Sequence, residues 1–194
     1  MTDNEDWATI ENMIRQLKNT CEFMIDLAYS ALIFGDKELA ERVMDLEEYV
    51  DKLHTKFELK VLELGIKRKE NEKNLLGLLR LGVATENLAD AAAEIADVVL
   101  RGVEPHPILR MVMEEAEEAV MEAKISENSS LIGKMLGELK LEEKIGVKII
   151  AVKREDIWFY NPPDDFILRP GDIIVARGFI EAKDALKKLA EGID

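Results

Sequence analysis

The chain has 194 residues, 47% of them hydrophobic and 34% charged, with 26 basic against 40 acidic side chains and a formal net charge of −14. That length buries a real core in one or two domains, and that hydrophobic content excludes a disordered chain. The charge excludes nucleic acid and anionic lipid as partners, because both are held mainly by lysine and arginine.

No apolar run approaches the length of a membrane span and the amino terminus lacks signal-peptide character, so a soluble cytoplasmic protein without direct membrane insertion is expected. A single cysteine, Cys21, excludes an intrachain disulfide and a cysteine-based metal site. One glutamine beside so many charged residues is a balance that leans towards a thermophile.

Thr2-Asp3-Asn4-Glu5 has the spacing of a capping box and predicts a helix start. Trp7, Ile10, Ile14, Leu17, Cys21, Met24, Ala28 and Ala31 then recur every three or four residues, the seam of a long amphipathic helix. Cys21 lies on that seam and reads as a packed thiol. Gly35-Asp36 reads as a stop followed by a fresh N-cap. Leu39, Val43, Leu46, Val50, Leu53, Phe57 and Leu64 form the seam of a second helix, taken to end at Gly65. Glu47 and Asp51 sit one turn apart at its border, with His54 and Glu58 nearby on the same side.

A third helix is expected from Asn71 to Gly102. Leu76, Leu79 and Val83 share a face with Glu86, Asp90, Glu94 and Asp97, while leucines, valines and alanines occupy the other faces. Apolar residues all round predict a central helix surrounded by neighbours, and the continuation of Leu76, Leu79 and Val83 into the acidic stripe argues that Glu86 and Asp90 are not simply solvated. Like charges at i,i+4 oppose one another by about 0.2–0.5 kcal/mol per pair. Within the helix only Arg101, four residues past Asp97, offers relief. Short turns between three long helices imply an antiparallel up-down-up bundle over residues 1–110.

Glu104-Pro105-His106-Pro107 breaks the chain, and a connecting helix is expected from Ile108 to about Ala116, its end at 111–118. The character then changes. Residues 119–194 read as a small α+β domain: a strand from Ala119 to Ser126, a helix from Leu131 to about Lys140 capped by Ser129-Ser130, and a strong strand at Val147 to Val152. A hairpin partner follows at Ile157 to Tyr160, then a type II turn at Arg169-Pro170-Gly171-Asp172, a strand from Ile173 to Arg177, and a closing helix from Ile180 to about Ala190.

No phosphate-cradling glycine loop, dinucleotide fingerprint, zinc-binding histidine pair or nucleophile elbow is present, so an enzyme is not expected. The carboxylate pairs Glu47/Asp51 and Glu86/Asp90 place four hard oxygen donors on two neighbouring helices, as magnesium, calcium, manganese or iron accept. Glu94 and Asp97 are lesser candidates. The same spacing also arises on solvated faces of any glutamate-rich helix.

Leu46-Glu47-Glu48-Tyr49-Val50-Asp51-Lys52-Leu53 and Glu86-Asn87-Leu88-Ala89-Asp90-Ala91-Ala92 resemble the two acidic helix motifs of a PhoU repeat. The resemblance implies that these motifs face each other and hold divalent metal or iron through Glu47, Asp51, Glu86 and Asp90. Asn87 stands where many members carry arginine, and Glu94 where many carry asparagine.

The second part resembles the C-terminal TrkA-C domain of regulators of potassium conductance. Ser129 to Leu139, Ile149 to Arg154 and Leu168 to Gly178 carry that resemblance. It implies a homodimer that senses a small anionic effector for a membrane cation channel or transporter. Lys153 and Arg154 are the cations at the strand end that an anion would meet, although surface charge is the commoner role. The alternative implied by the first part is a PhoU-type metal-binding regulator of phosphate transport. A purely structural assembly subunit is a third class.

Overall fold

The computed structural model describes residues 2–103, 106–108, 111, 118–155 and 157–193, with side chains at 2–6 and 118–119 outside the description. The capping-box side chains of Thr2 and Glu5 and nearly all of the expected helix at 108–116 lie outside the described residues. Two compact units result, residues 1–104 and 105–194.

The first unit is three long helices: α1 (Thr2–Phe34), α2 (Lys37–Arg68) and α3 (Glu72–Leu100). Each packs on both of the others. Gly35 takes φ +66 to end α1, and Asp36 accepts from the Glu38 and Leu39 amides to begin α2. The predicted seams are the core: Ile10, Leu17, Cys21, Met24, Ala28 and Ala31 of α1, and Leu39, Val43, Leu46, Val50, Leu53, Phe57 and Leu64 of α2, are all buried.

Two expectations are corrected. α2 runs through Gly65 to Arg68 and is closed by Lys69 in the left-handed region. Gly65 instead lets α3 approach, since a Cβ there would lie 2.4 Å from a Leu75 methyl. α3 is not a surrounded central helix: it gives the core its small residues, Gly82, Ala89, Ala92, Ala93, Ala96 and Val99. Leu76, Leu81, Val83, Leu88 and Val98 face outward. Close backbone approach at Gly82, where a Cβ would sit 2.8 Å from the Phe57 ring and 3.1 Å from His54, makes alanine the size that fits.

The second unit is a four-stranded antiparallel sheet in the order β1-β4-β2-β3, formed by β1 (Glu118–Lys124), β2 (Val147–Arg154), β3 (Ile157–Tyr160) and β4 (Ile173–Phe179). Packed with it are α4 (Leu136–Leu139), α5 (Leu141–Ile145) and α6 (Ala182–Glu191). Met121, Ile149, Val152, Ile174 and Ala176 on one face of the sheet pack with Leu139, Leu141, Leu168, Leu186 and Ala190 into the core. A bulge between Ile149 and Ala151 shifts the β2–β4 register.

The helix expected from Leu131 begins only at Leu136. Gly133 takes φ +72 and its amide goes to the Leu168 carbonyl, so residues 131–134 form turns against the loop before β4. Ser129, not Ser130, organises that turn: its hydroxyl accepts from the Leu131 amide and donates to the Leu189 carbonyl. β4 runs past the expected end at Arg177 to Phe179, and within it only a residue without Cβ at position 178 passes the Gly146 carbonyl, 2.4 Å from where that Cβ would be. The Arg169–Asp172 turn is as expected, with Gly171 at φ +86 and the Asp172 amide on the Arg169 carbonyl.

Candidate functional site

The acidic motifs are brought together by the antiparallel run of α2 and α3. Gly82 against Phe57 and His54 fixes the helix register, which puts Glu86 at the level of Asp51 and Asp90 at the level of Glu47. Glu47 and Glu86 are half-buried, and Asp51 and Asp90 are exposed. Partial burial and then the charges of Asp90, Asp51, Glu48 and Glu86 push the Glu47 carboxyl above the usual carboxylate range. Glu47 therefore feels both motifs at once.

Asp97 is taken by Arg101 in the ion pair foreseen from their spacing, and Glu94 is exposed one turn from Asp90. His54 is buried on the same side of α2, its Nε2 3.5 Å from the Glu58 carboxylate. The stripe runs along an outer border of the bundle, because Leu76 and Val83, expected to lead it inward, are exposed themselves. The donors are chemically suited to a hard cation. As the side chains stand, among the described residues no three histidine, cysteine or acidic groups converge closely enough to hold a metal ion.

Cys21 is the packed thiol that its seam position predicts. It is buried, its Sγ donates to the Thr85 carbonyl at 3.3 Å, and burial with nearby Glu22 raises its pKa to about 11. At that value it is protonated and inert near neutrality.

In the second unit the cation that an anion was expected to meet is already engaged. Arg154 ends β2 and turns back to the Arg169–Asp172 turn, where its Nε and Nη2 each donate to one oxygen of Asp172 at 2.8 Å. Nη2 also donates to the Ile167 carbonyl, the Arg169 amide donates to Asp172, and the guanidinium lies over the Phe159 and Phe166 rings. The hydrogen bonds to Asp172 hold the Arg154 pKa above its already high value. This clasp is structural, and no spacing in the sequence signals it. Lys153, on the other face of the strand, lies over the Trp158 ring, which stacks on Tyr160.

Family models match both units: the PhoU domain over residues 14–99 and the TrkA-C domain over residues 120–190. The chain carries a PhoU domain followed by a TrkA-C domain. It is 39% identical over 70 residues to potassium channel protein 1 of Methanocaldococcus jannaschii, covering 36% of this chain and 21% of that protein. It is 33% identical over 85 residues to probable potassium channel protein 2 of the same organism, covering 43% of this chain and 25% of the other. The chain thus matches about a fifth to a quarter of the length of these relatives.

Among solved structures, the RCK C domain of the potassium transport protein KtrA, in complex with cyclic diadenosine monophosphate, is similar at 24% identity. It covers 42% of this chain and 94% of that one, with a TM-score of 0.34. The PhoU domain contains the four paired carboxylates and the TrkA-C domain contains the Arg154–Asp172 clasp. No helix among the described residues is long and apolar enough to cross a membrane.

Proposed function

We propose that this protein is a cytoplasmic regulatory subunit of a potassium or other cation channel or transporter. Its TrkA-C domain would sense a small anionic effector as a homodimer, and its PhoU domain would relay that state to the membrane partner. The observation that carries this reading is the TrkA-C match over residues 120–190, supported by 39% identity over 70 residues to an archaeal potassium channel protein. The role is regulatory rather than catalytic, in keeping with both matched domains. Deletion and overexpression in the source cell, with potassium, sodium, calcium and phosphate fluxes followed together, test it. A change in cation flux is expected. Unchanged cation fluxes with altered phosphate uptake would overturn it.

A second reading is favoured by the repulsion gathered at Glu47. In it the PhoU domain binds a divalent metal or iron through Glu47, Asp51, Glu86 and Asp90, and the protein regulates phosphate transport. Binding would require the carboxylates to close on the ion from their present positions. Elemental analysis of protein purified without chelator, compared with Asp90→Asn, decides it. Stoichiometric metal lost in the variant supports this reading, and equal near-zero metal in both rejects it.

A further inference from the structure

α3 carries a second apolar seam that the bundle leaves open. Leu81, Ala84, Leu88, Ala91, Ile95 and Val98 recur at alternating spacings of three and four, the heptad pattern of a helix meant to pair with another. At about 100° per residue this seam is centred roughly 110° from the core-facing alanines, and on the side of the helix away from Glu86, Asp90 and Asp97. Leu81 is 46% exposed, Leu88 50% and Val98 37%, while Ile95 is half-buried. Six successive seam positions without a polar group, in a chain that is 34% charged, are not an ordinary solvated face.

The order of side-chain sizes says what covers the seam. It alternates large and small over Leu81, Ala84, Leu88 and Ala91 and ends on two large residues, Ile95 and Val98. Run antiparallel against a second copy, with the two-fold between positions 88 and 91, every layer that holds an alanine sets it against a larger residue. Leu81 meets Val98 of the partner subunit, Ala84 meets the partner's Ile95, and Leu88 meets the partner's Ala91. A parallel pair would set leucine on leucine and alanine on alanine, alternately crowded and empty.

One flank of the seam carries Arg80, Asn87, Glu94 and Arg101, and the two-fold sets that flank against itself, so Arg80 lies level with Arg101 of the partner subunit, whose charge its own Asp97 offsets. We propose that α3 pairs antiparallel with α3 of a second copy through this seam.

Seventeen residues of rise span about 26 Å, and a helix is about 10 Å across. The contact therefore buries on the order of 1,000 Å² in total, the lower edge of a stable interface. It leaves Glu47, Asp51, Glu86 and Asp90 uncovered.

Nitroxide labels on the full chain test this, placed in separate Arg80→Cys and Glu94→Cys variants, with the buried native thiol of Cys21 unlabelled. In the antiparallel pair, position 94 lies about 14 Å along the axis from its counterpart and position 80 about 29 Å. Pulsed dipolar measurement should give an interchain distance at each position, roughly 15 Å longer at position 80 when the labels lie along the helix axis. Leu88→Glu should remove both of these distances, leaving only the longer, broad separations of copies held together through their TrkA-C domains. Should that variant fail to fold by circular dichroism, Ala91→Glu takes its place. Equal distances at the two positions, no interchain coupling at either, or distances that persist in a folded seam variant would each overturn the pairing.

Discussion

Arg154 and Asp172 form a two-bond clasp, Nε to Oδ1 and Nη2 to Oδ2, each 2.8 Å long, with Asp172 only 1% exposed. The clasp ties the end of β2 to the turn that starts β4, and the Phe159 and Phe166 rings shield it. Removing one partner strands the other. Asp172→Ala should destabilise the TrkA-C domain by about 3 kcal/mol, at the lower end for broken buried pairs because Arg154 keeps some solvent. Arg154→Lys should recover only part, since an ammonium cannot bond both oxygens in parallel. Urea unfolding followed at Trp158 fluorescence, in a Trp7→Phe background, reads this domain. Equal midpoints for Asp172→Ala and the parent would refute it.

The Glu47 carboxyl titrates above its ordinary range when folded, so it favours the fold only while protonated. That contribution is full below the unfolded pKa and is lost as pH rises through the folded one. Glu47→Gln should therefore raise the melting temperature at pH 7 and make little difference at pH 3.5, near or below the ordinary pKa. Added salt should shrink the gain by screening Asp90, Asp51 and Glu86. Melting curves of both proteins at the two pH values check the sign. A lower melting temperature for the variant at neutral pH would contradict it.

Gly171 and Gly178 should respond unequally to alanine. Gly171 needs a left-handed backbone, yet a Cβ there meets nothing within 4 Å. Its substitution costs the conformational penalty alone, about 1–2 kcal/mol. At Gly178 the new carbon would press on the Gly146 carbonyl and the Val147 Cα, which are backbone and cannot swing aside. Gly178→Ala should cost at least about 3 kcal/mol, combining overpacking with strand distortion. Equilibrium unfolding of the two variants settles the order.

Cys21 should react with a disulfide reagent at neutral pH only as fast as the bundle opens. Its thiol, with a pKa of about 11 and no exposure to speak of, offers neither thiolate nor access. Labelling rates should rise steeply through the urea transition of the PhoU domain. Rapid labelling of the folded protein would show that the α1 seam is looser than described.

Much of this was legible in the residues themselves. Seams such as Leu39-Val43-Leu46-Val50 state which face is inside because polar residues occupy the others. Asp36, Gly35 and the Pro170-Gly171 pair state where the chain turns, since few residues serve there. The burial of α3 was not legible, because a helix apolar on nearly every face gives no contrast. There the alanines went inside on grounds of size, a matter settled by the approach of α2 at Gly82. Gly65 likewise has one appearance as a helix stop and another as a contact point. That the Glu47/Asp51 and Glu86/Asp90 motifs face each other is what the resemblance to a PhoU repeat implies, and which carboxylates stand level depends on the approach of α2 at Gly82. The Arg154–Asp172 clasp did not, since it depends on the β2–β4 register and a bulge that spacing does not reveal.

The last helix has its carbonyls held by the first turn of the same domain. The Ser126 amide and hydroxyl take the Ala190 and Glu191 carbonyls, the Ser129 hydroxyl takes that of Leu189, and Gly192 passes so near the Asn128 carbonyl that a Cβ would be 2.0 Å from it. β1 likewise pairs with β4, the last strand. The TrkA-C domain is thus closed by contacts between its earliest and latest residues, whereas each PhoU helix meets a neighbour one short turn away. High sequence separation slows folding. During synthesis the helical bundle has every contact it needs while the sheet is still being made, and the sheet domain stays open until α6 has emerged to close it.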